Sequence, residues 1–136
     1  MKYLVDTNIV SDARRDDGSP ASVWVREQRV QDLGISAITL LEIEIGVMQR
    51  ERRDPRAGAV LREWFERQVR EAFDGRVLAV DETVALHAAR FQVPDPMPAM
   101  DGLIASTALV HSLVLVTRNV ADFKRTHVAL FNPWED

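Results

Sequence analysis

Tyr3-Leu4-Val5-Asp6-Thr7-Asn8 reads as a short buried strand that passes straight into a helix. Three apolar-leaning residues precede the first carboxylate, and the helical spacing of Ile9, Val10 and Ala13 begins directly after it. Asp6 therefore sits at the carboxyl end of the strand, the edge of an open α/β sheet where ligands bind. From this unit the chain alternates outward. The first helix ends near Arg14-Arg15-Asp16-Asp17-Gly18, and Ser19-Pro20 opens a second through Val23, Trp24 and Val25. Gly34-Ile35-Ser36 is a candidate strand, and Thr39 to Arg52 is a strong helix whose apolar first half is expected to be buried.

Pro55 ends that helix, and an amphipathic one carrying Leu61, Trp64, Phe65, Val69 and Phe73 stops near Gly75. Val77-Leu78-Ala79-Val80 is a third strand, followed by a helix capped by Asp81. The loop Pro94-Asp95-Pro96-Met97-Pro98 leads into a helix from Ala99 to His111. Leu113 to Thr117 is the clearest strand; Val120 to Phe123 is a helical turn and Val128 to Phe131 a last strand. Short strands alternating with helices predict an α/β fold with a central, mostly parallel sheet flanked by helices on both faces. No repeat or linker divides the chain, so a single domain over residues 1–136 is expected.

An apolar content of 46% with 28% charged residues is ordinary for a globular protein and excludes disorder. The absence of cysteine excludes disulfides, thiolate metal sites and cysteine nucleophiles. No segment has the charge-free length of a membrane span, and the N-terminus lacks a signal-peptide core, so a soluble, cytoplasmic protein is expected. The net charge of −4 is the wrong sign for gripping nucleic acid through the overall field, which leaves a local site as the means.

There is no phosphate-binding glycine loop, nucleophile elbow or zinc-hydrolase motif, and His87, His111 and His127 read as structural or solvated. Carboxylates remain. Asp6 has a ready alternative role as a helix N-cap. Asp101 is the only formally charged side chain between Met97 and Val116, on the flank of a stripe formed by Met100, Leu103, Ile104, Thr107 and His111. Small Ala105 and Ala108 beside it would let another element approach. A charge embedded in such a run is costly unless paired or metal-bound, although a first-turn acid also suits the helix dipole. Thr39-x-x-Glu42 has the pattern of a capping box. Periodicity does not choose between Glu42 and Glu44, since both flank the stripe of Ile38, Leu41, Ile45 and Met48. Together, acids without a cationic partner would repel one another, and hard oxygen donors select Mg²⁺, with Mn²⁺ as a possible substitute. Such a cation binds phosphate oxygens and activates water.

Asp6-Thr7-Asn8 after an N-terminal strand, Thr39-x-x-Glu42 on a helix, Met97-Pro98-x-x-Asp101-x-x-Ile104-Ala105, and Thr117-Arg118-Asn119-x-x-x-Phe123 resemble, in order and spacing, a PIN domain. The resemblance covers essentially the whole chain, to Phe131-Asn132-Pro133-Trp134, and is closest to the VapC/FitB branch of type II toxins. It implies a PIN-like three-layer fold and a Mg²⁺-dependent endoribonuclease with Asp6, Glu42 and Asp101 at its acidic site. It selects Glu42 over Glu44, and assigns Thr7, Asn8 and Thr117 to support by hydrogen bonding. It further implies a homodimer, RNA as substrate and a cognate VapB-type antitoxin whose basic or aromatic segment plugs the acidic pocket. Asn119 stands where many relatives carry a fourth carboxylate, which weakens a second metal position; Asp122 is a candidate replacement. The arginines between Arg50 and Arg76 read as a solvated helix face, since acids are interspersed among them, rather than as an RNA guide.

Three rivals have distinct signatures. A haloacid-dehalogenase-type phosphatase needs a second acid two residues after Asp6, where this chain has Asn8. A receiver-type phosphoacceptor domain needs an Asp at the end of a middle strand and a late lysine; Lys124 is the only candidate lysine. A catalytically weakened PIN module that mainly binds RNA or a protein partner is the non-enzymatic alternative, which Asn119 keeps open.

Overall fold

In the computed structural model, which describes residues 1–15 and 17–135, β1 (Tyr3–Val5) lies at the centre of a five-stranded sheet. Asp16, in the turn expected after the first helix, lies outside the described residues. Its companions are β2 (Leu33–Ser36), β3 (Val77–Leu78), β4 (Val114–Val116) and β5 (Leu130–Phe131), in the order β3-β2-β1-β4-β5. Every pairing is parallel, with Leu4 opposite Gly34 on one side and Leu115 on the other. Gly34 suits the close approach there: a Cβ would come within 3.2 Å of the Arg76 carbonyl and displace the Met1 side chain, whose Sδ would lie 2.3 Å away. Strands β3, β4 and β5 are shorter than expected: β4 loses one residue at each end, β3 its last two and β5 its first two.

Successive residues of a strand face opposite sides of the sheet, and the two faces carry separate cores. Val5, Leu33, Ile35 and Val116 pack with Ile9 and Val10 of α1 (Thr7–Ala13), Ala21 of α2 (Pro20–Glu27), and Ile43 and Val47 of α3 (Ala37–Arg53). Phe65 and Val69 close the same core from a π-helical turn, Phe65–Val69, that links α4 (Pro55–Trp64) to α5 (Arg70–Ala72). Gly75 stops that run with φ +80°. On the other face Leu4 and Leu115 meet α7 (Ala99–Val110), Phe91 after α6 (Glu82–Ala88), and Phe123 of α8 (Val120–Phe123). Helices thus cover both faces, as the alternation of elements requires. Among the described residues no helix is long and apolar enough to cross a membrane.

Three local expectations are corrected. The stripe of Leu41, Ile45 and Met48 is exposed; α3 instead buries Ile38, Thr39, Ile43 and Val47. The proposed capping box does not form: α3 begins at Ala37, and Ser36 Oγ accepts from the Ile38 amide at 3.0 Å. Thr39 and Glu42 therefore lie inside the helix, available for other contacts. On α7, Met100 and His111 face solvent, whereas Ala105 and Ala108 are fully buried as core. The Asp81 cap does form, accepting from the Val84 amide at 2.9 Å. Pro55 ends α3 and starts α4, with the Asp54 carboxylate accepting from the Ala57 amide at 3.2 Å.

Candidate functional site

After β1 the chain steps to β2 and β3 on one side, then crosses to β4 and β5 on the other. The carboxyl ends of β1 and β4 therefore flank the point where the strand order reverses, the usual crevice of an open parallel sheet. Asp6 and Thr117 are the first residues past those ends, and the Asp6 amide bonds the Val116 carbonyl at 2.9 Å.

Asp6 is nearly buried and held from three directions. Oδ1 accepts from the Thr7 amide at 2.8 Å, so it does cap α1. Oδ2 accepts from the Thr117 hydroxyl at 2.8 Å and from the Asn8 amide group at 3.3 Å. Thr117, fully buried, also accepts from the Asn119 backbone N–H at 3.0 Å, and Asn8 Oδ1 accepts from the Arg118 N–H at 3.3 Å. These contacts cross-link the ends of β1 and β4 and fix the carboxylate in one orientation, leaving lone pairs on its oxygens unused.

Glu42 reaches the same crevice from α3. Thr7 Oγ1 donates to Glu42 Oε1 at 2.6 Å, and Thr39 Oγ1 lies 3.2 Å from that hydroxyl. Thr39 is fully buried, and its part in this network was not foreseen: the i, i+3 spacing that suggested a cap instead puts both side chains on one helix face. Glu44, two residues on, turns away and pairs with Arg62 at 2.6 Å. The geometry thus separates two acids that periodicity left equivalent.

Asp101 enters from the first turn of α7, a helix whose N-terminus has no side-chain cap, and it is half-buried. Asp122, on α8, is exposed, and the Asn119 side chain is exposed and caps nothing. The electrostatics couple several of these acids. Burial pushes Asp6 up from 3.8 to about 6 against the pull of the Thr117 and Thr7 hydrogen bonds; the negative charges of Glu42 and Asp101 add to the rise. Burial also raises Asp101, followed by the charges of Glu42 and Asp122. Asp6, Glu42, Asp101 and Asp122, from four elements, therefore share one electrostatic neighbourhood. Among the described residues no Lys or Arg forms an ion pair with any of them.

An uncompensated cluster of hard oxygen donors fits a divalent cation of the Mg²⁺ or Mn²⁺ class. Among the described residues, no three acids lie close enough to form a closed metal cage. Asp6, Glu42 and Asp101 are the residues that could hold such a cation. The histidines lie elsewhere: His87 stacks edge-on against Phe91 at 5.6 Å, and His111 and His127 are exposed.

The fold has counterparts among known proteins. The family model described as "PIN domain" matches residues 3–128. The chain is 34% identical to "Toxin FitB" of Neisseria gonorrhoeae, over 98% of this chain and 99% of that protein. It is 28% identical to "VapC ribonuclease Y4jK" of Sinorhizobium fredii, with 97% of each chain covered. Among solved structures, "FitAcB from Neisseria gonorrhoeae" superposes with a TM-score of 0.89 at 34% identity, over 98% of this chain and 99% of that one.

Proposed function

The chain belongs to the PIN-domain family, and from that premise we propose that it is a Mg²⁺-dependent endoribonuclease, the toxin of a type II toxin–antitoxin pair. The observation that carries the proposal is the convergence of Asp6, Glu42 and Asp101, with no cation among the described residues to balance them, on the crevice at the ends of β1 and β4. Relatives named as ribonucleases and as a toxin make cleavage of cellular RNA the fitting chemistry.

In this proposal Asp6 and Asp101 hold the cation, with Glu42 as a direct or water-bridged ligand. The bound cation supplies positive charge to the scissile phosphate and lowers the pKa of a coordinated water. The protein's own contribution is orientation. Thr117, Asn8 and the Thr7 amide lock Asp6, and Thr7 Oγ1 holds Glu42 toward the crevice. Such supporting bonds keep a ligand set in place without contributing charge. Asp122, whose charge reaches Asp101, takes the role of the fourth acid, and the Asn119 amide supports by positioning water.

The solved relatives include a FitAB complex bound to DNA, whose chain is 33% identical to this one. By analogy the partner here is a VapB-type antitoxin that occludes the acidic crevice, and the active form is a homodimer. The toxin acts as one domain over residues 1–136, in the cytoplasm, where its substrate is. The test is incubation of labelled structured RNAs with purified protein in Mg²⁺, with and without EDTA. Metal-dependent cleavage is expected; uncut RNA across varied substrates would favour the binding-only module, and phosphate release from small phosphoesters would favour a phosphatase.

A further inference from the structure

Beside the acidic crevice runs a groove of about 320 Å³ that begins at Thr7 and Glu42 and leads between α1 and α3 to Arg14, Arg15, Arg50 and Arg53. The arginines of the Arg50–Arg76 stretch divide into two kinds. Arg62 and Arg70 are engaged by carboxylates, and Arg76 donates to the carbonyls of Leu33 and Ala72. Arg50 and Arg53 are exposed and, among the described residues, their side chains have no hydrogen bond or ion pair. Across the groove Arg14 lies over the face of Trp64, 5.7 Å from the ring centroid, and Arg15 is exposed. Of the acids near the groove, Asp12 faces Arg118 at 3.8 Å and Asp17 interacts with Arg15, which leaves Arg50 and Arg53 as its unpaired charges among the described residues.

We infer that this groove is the track on which the backbone of single-stranded RNA lies on one side of the cleaved bond, its phosphates bound by Arg50 and Arg53 with Arg14 and Arg15 opposite. The inference rests on the ribonuclease reading and adds a substrate path to it. Charge complementarity selects the occupant. The chain is acidic overall, yet this strip is basic and continuous with the candidate metal site, so a polyanion that must reach that site is held where the protein is locally positive. Arginine forks match phosphate geometry. The nearest aromatic face, that of Trp64, is taken by Arg14, which removes it as a base-stacking platform. The groove therefore reads backbone rather than bases, and its contribution is the same for different RNA sequences.

The experiment is fluorescence anisotropy with two fluorescein-labelled single-stranded RNAs of different sequence, in Mg²⁺ and across a KCl series. It uses the Asp101→Asn background so that the RNA stays intact. Adding Arg50→Ala and Arg53→Ala together is expected to weaken binding of both RNAs about tenfold or more. The slope of log affinity against log salt should shrink by roughly 1.4, since each phosphate contact on a single strand contributes about 0.7. Both positions are exposed, so thermal melting stays unchanged, and Arg50→Lys with Arg53→Lys restores most of the slope. Arg70→Ala, outside the groove, leaves both quantities as they were. Unchanged affinity and slope in the double alanine variant, or a loss confined to one RNA sequence, would overturn the proposal. Cleavage by otherwise wild-type protein is measured alongside. If that protein cuts RNA while the arginine variants bind normally, only the groove is wrong; if it binds through the arginines without cutting, only the ribonuclease reading is wrong.

Discussion

Two regions of this molecule use the same residue types in opposite ways. In the hairpin of α3 and α4, Arg62 donates to Glu44 at 2.6 Å and to Glu51 at 2.9 Å, with Glu66 at 3.8 Å. The two elements come so close that a Cβ on Gly58 would lie 2.5 Å from the Glu51 Cα. Glu44 and Glu51 hold the Arg62 proton more tightly than usual, and Arg62 draws Glu51 below its ordinary range. At the carboxyl edge of the sheet, by contrast, Asp6, Glu42 and Asp101 have one another and hydroxyl or amide donors for company. There Asp6 and Asp101 titrate higher than normal, chiefly because they are buried. The hairpin uses its charges to join two helices; the sheet edge carries the cost of buried, mutually repelling carboxylates, which a proton or a bound cation relieves. Glu42 and Glu44, two residues apart on one helix, fall on either side of that divide.

The largest effect is expected from removing a charge at the sheet edge. Asp101→Asn and Asp6→Asn should each lower RNA cleavage on the order of a thousandfold, since a cation's charge stabilisation is worth several kcal/mol. Folding should survive in both, as judged by melting and circular dichroism; retained activity in Asp101→Asn would mean that this acid serves something other than the metal. Next comes the pair on α3. Glu42→Gln should cost far more activity than Glu44→Gln, and equal losses would erase the distinction between the regions. Thr117→Val, which removes the hydroxyl donor to Asp6 Oδ2, should reduce activity by about 10–100-fold, the usual range for an outer partner of a ligand.

The pH dependence of stability separates the regions in a different way. The Asp6 carboxyl titrates near 6 when folded and near 3.8 otherwise, so the folded state holds the proton more tightly between those values. Its favourable contribution is fully present below about pH 4 and is lost as pH rises through about 6. A span of roughly 2 pH units corresponds to about 3 kcal/mol as an upper figure. In metal-free buffer Asp6→Asn, which keeps a good N-cap residue, should therefore be more stable than wild type at pH 8 and show no such gain at pH 4. Chemical denaturation at the two pH values checks this; equal differences at both would remove the buried-charge argument. The smallest effect belongs to the hairpin. Arg62→Ala should lower the melting temperature by a few degrees at most, because its partners are over a third exposed, and should leave cleavage nearly unchanged.

Much of the fold was legible in the sequence because its decisive elements are short and sharply bounded. Tyr3-Leu4-Val5 ending at Asp6, the apolar run at β4 and the proline loop before α7 leave few alternatives, and their parallel arrangement followed from the alternation with helices. What misled was α3. Periodicity finds an apolar stripe but not which side of the helix meets the core, so Leu41, Ile45 and Met48 passed for interior although they face solvent. The cap pattern at Thr39 and Glu42 was outcompeted by Ser36, which lies one residue before α3 begins. Glu42 and Glu44 were indistinguishable because the discriminating partners, Thr7 and Arg62, are remote in sequence. The link between Asp122 and Asp101 was hidden for the same reason, since it depends on how α7 and α8 are placed by the sheet.

If the sheet-edge acids bind a divalent cation, that cation stabilises the folded state. Calorimetric melting across a Mg²⁺ series at pH 8, for wild type, Asp101→Asn and Glu44→Gln, tests it most directly. A cation that binds the folded state raises the melting temperature with the logarithm of its concentration. Wild type and Glu44→Gln should show that rise and Asp101→Asn should largely lose it. The same Mg²⁺ response in all three proteins, or none in wild type, would contradict the claim.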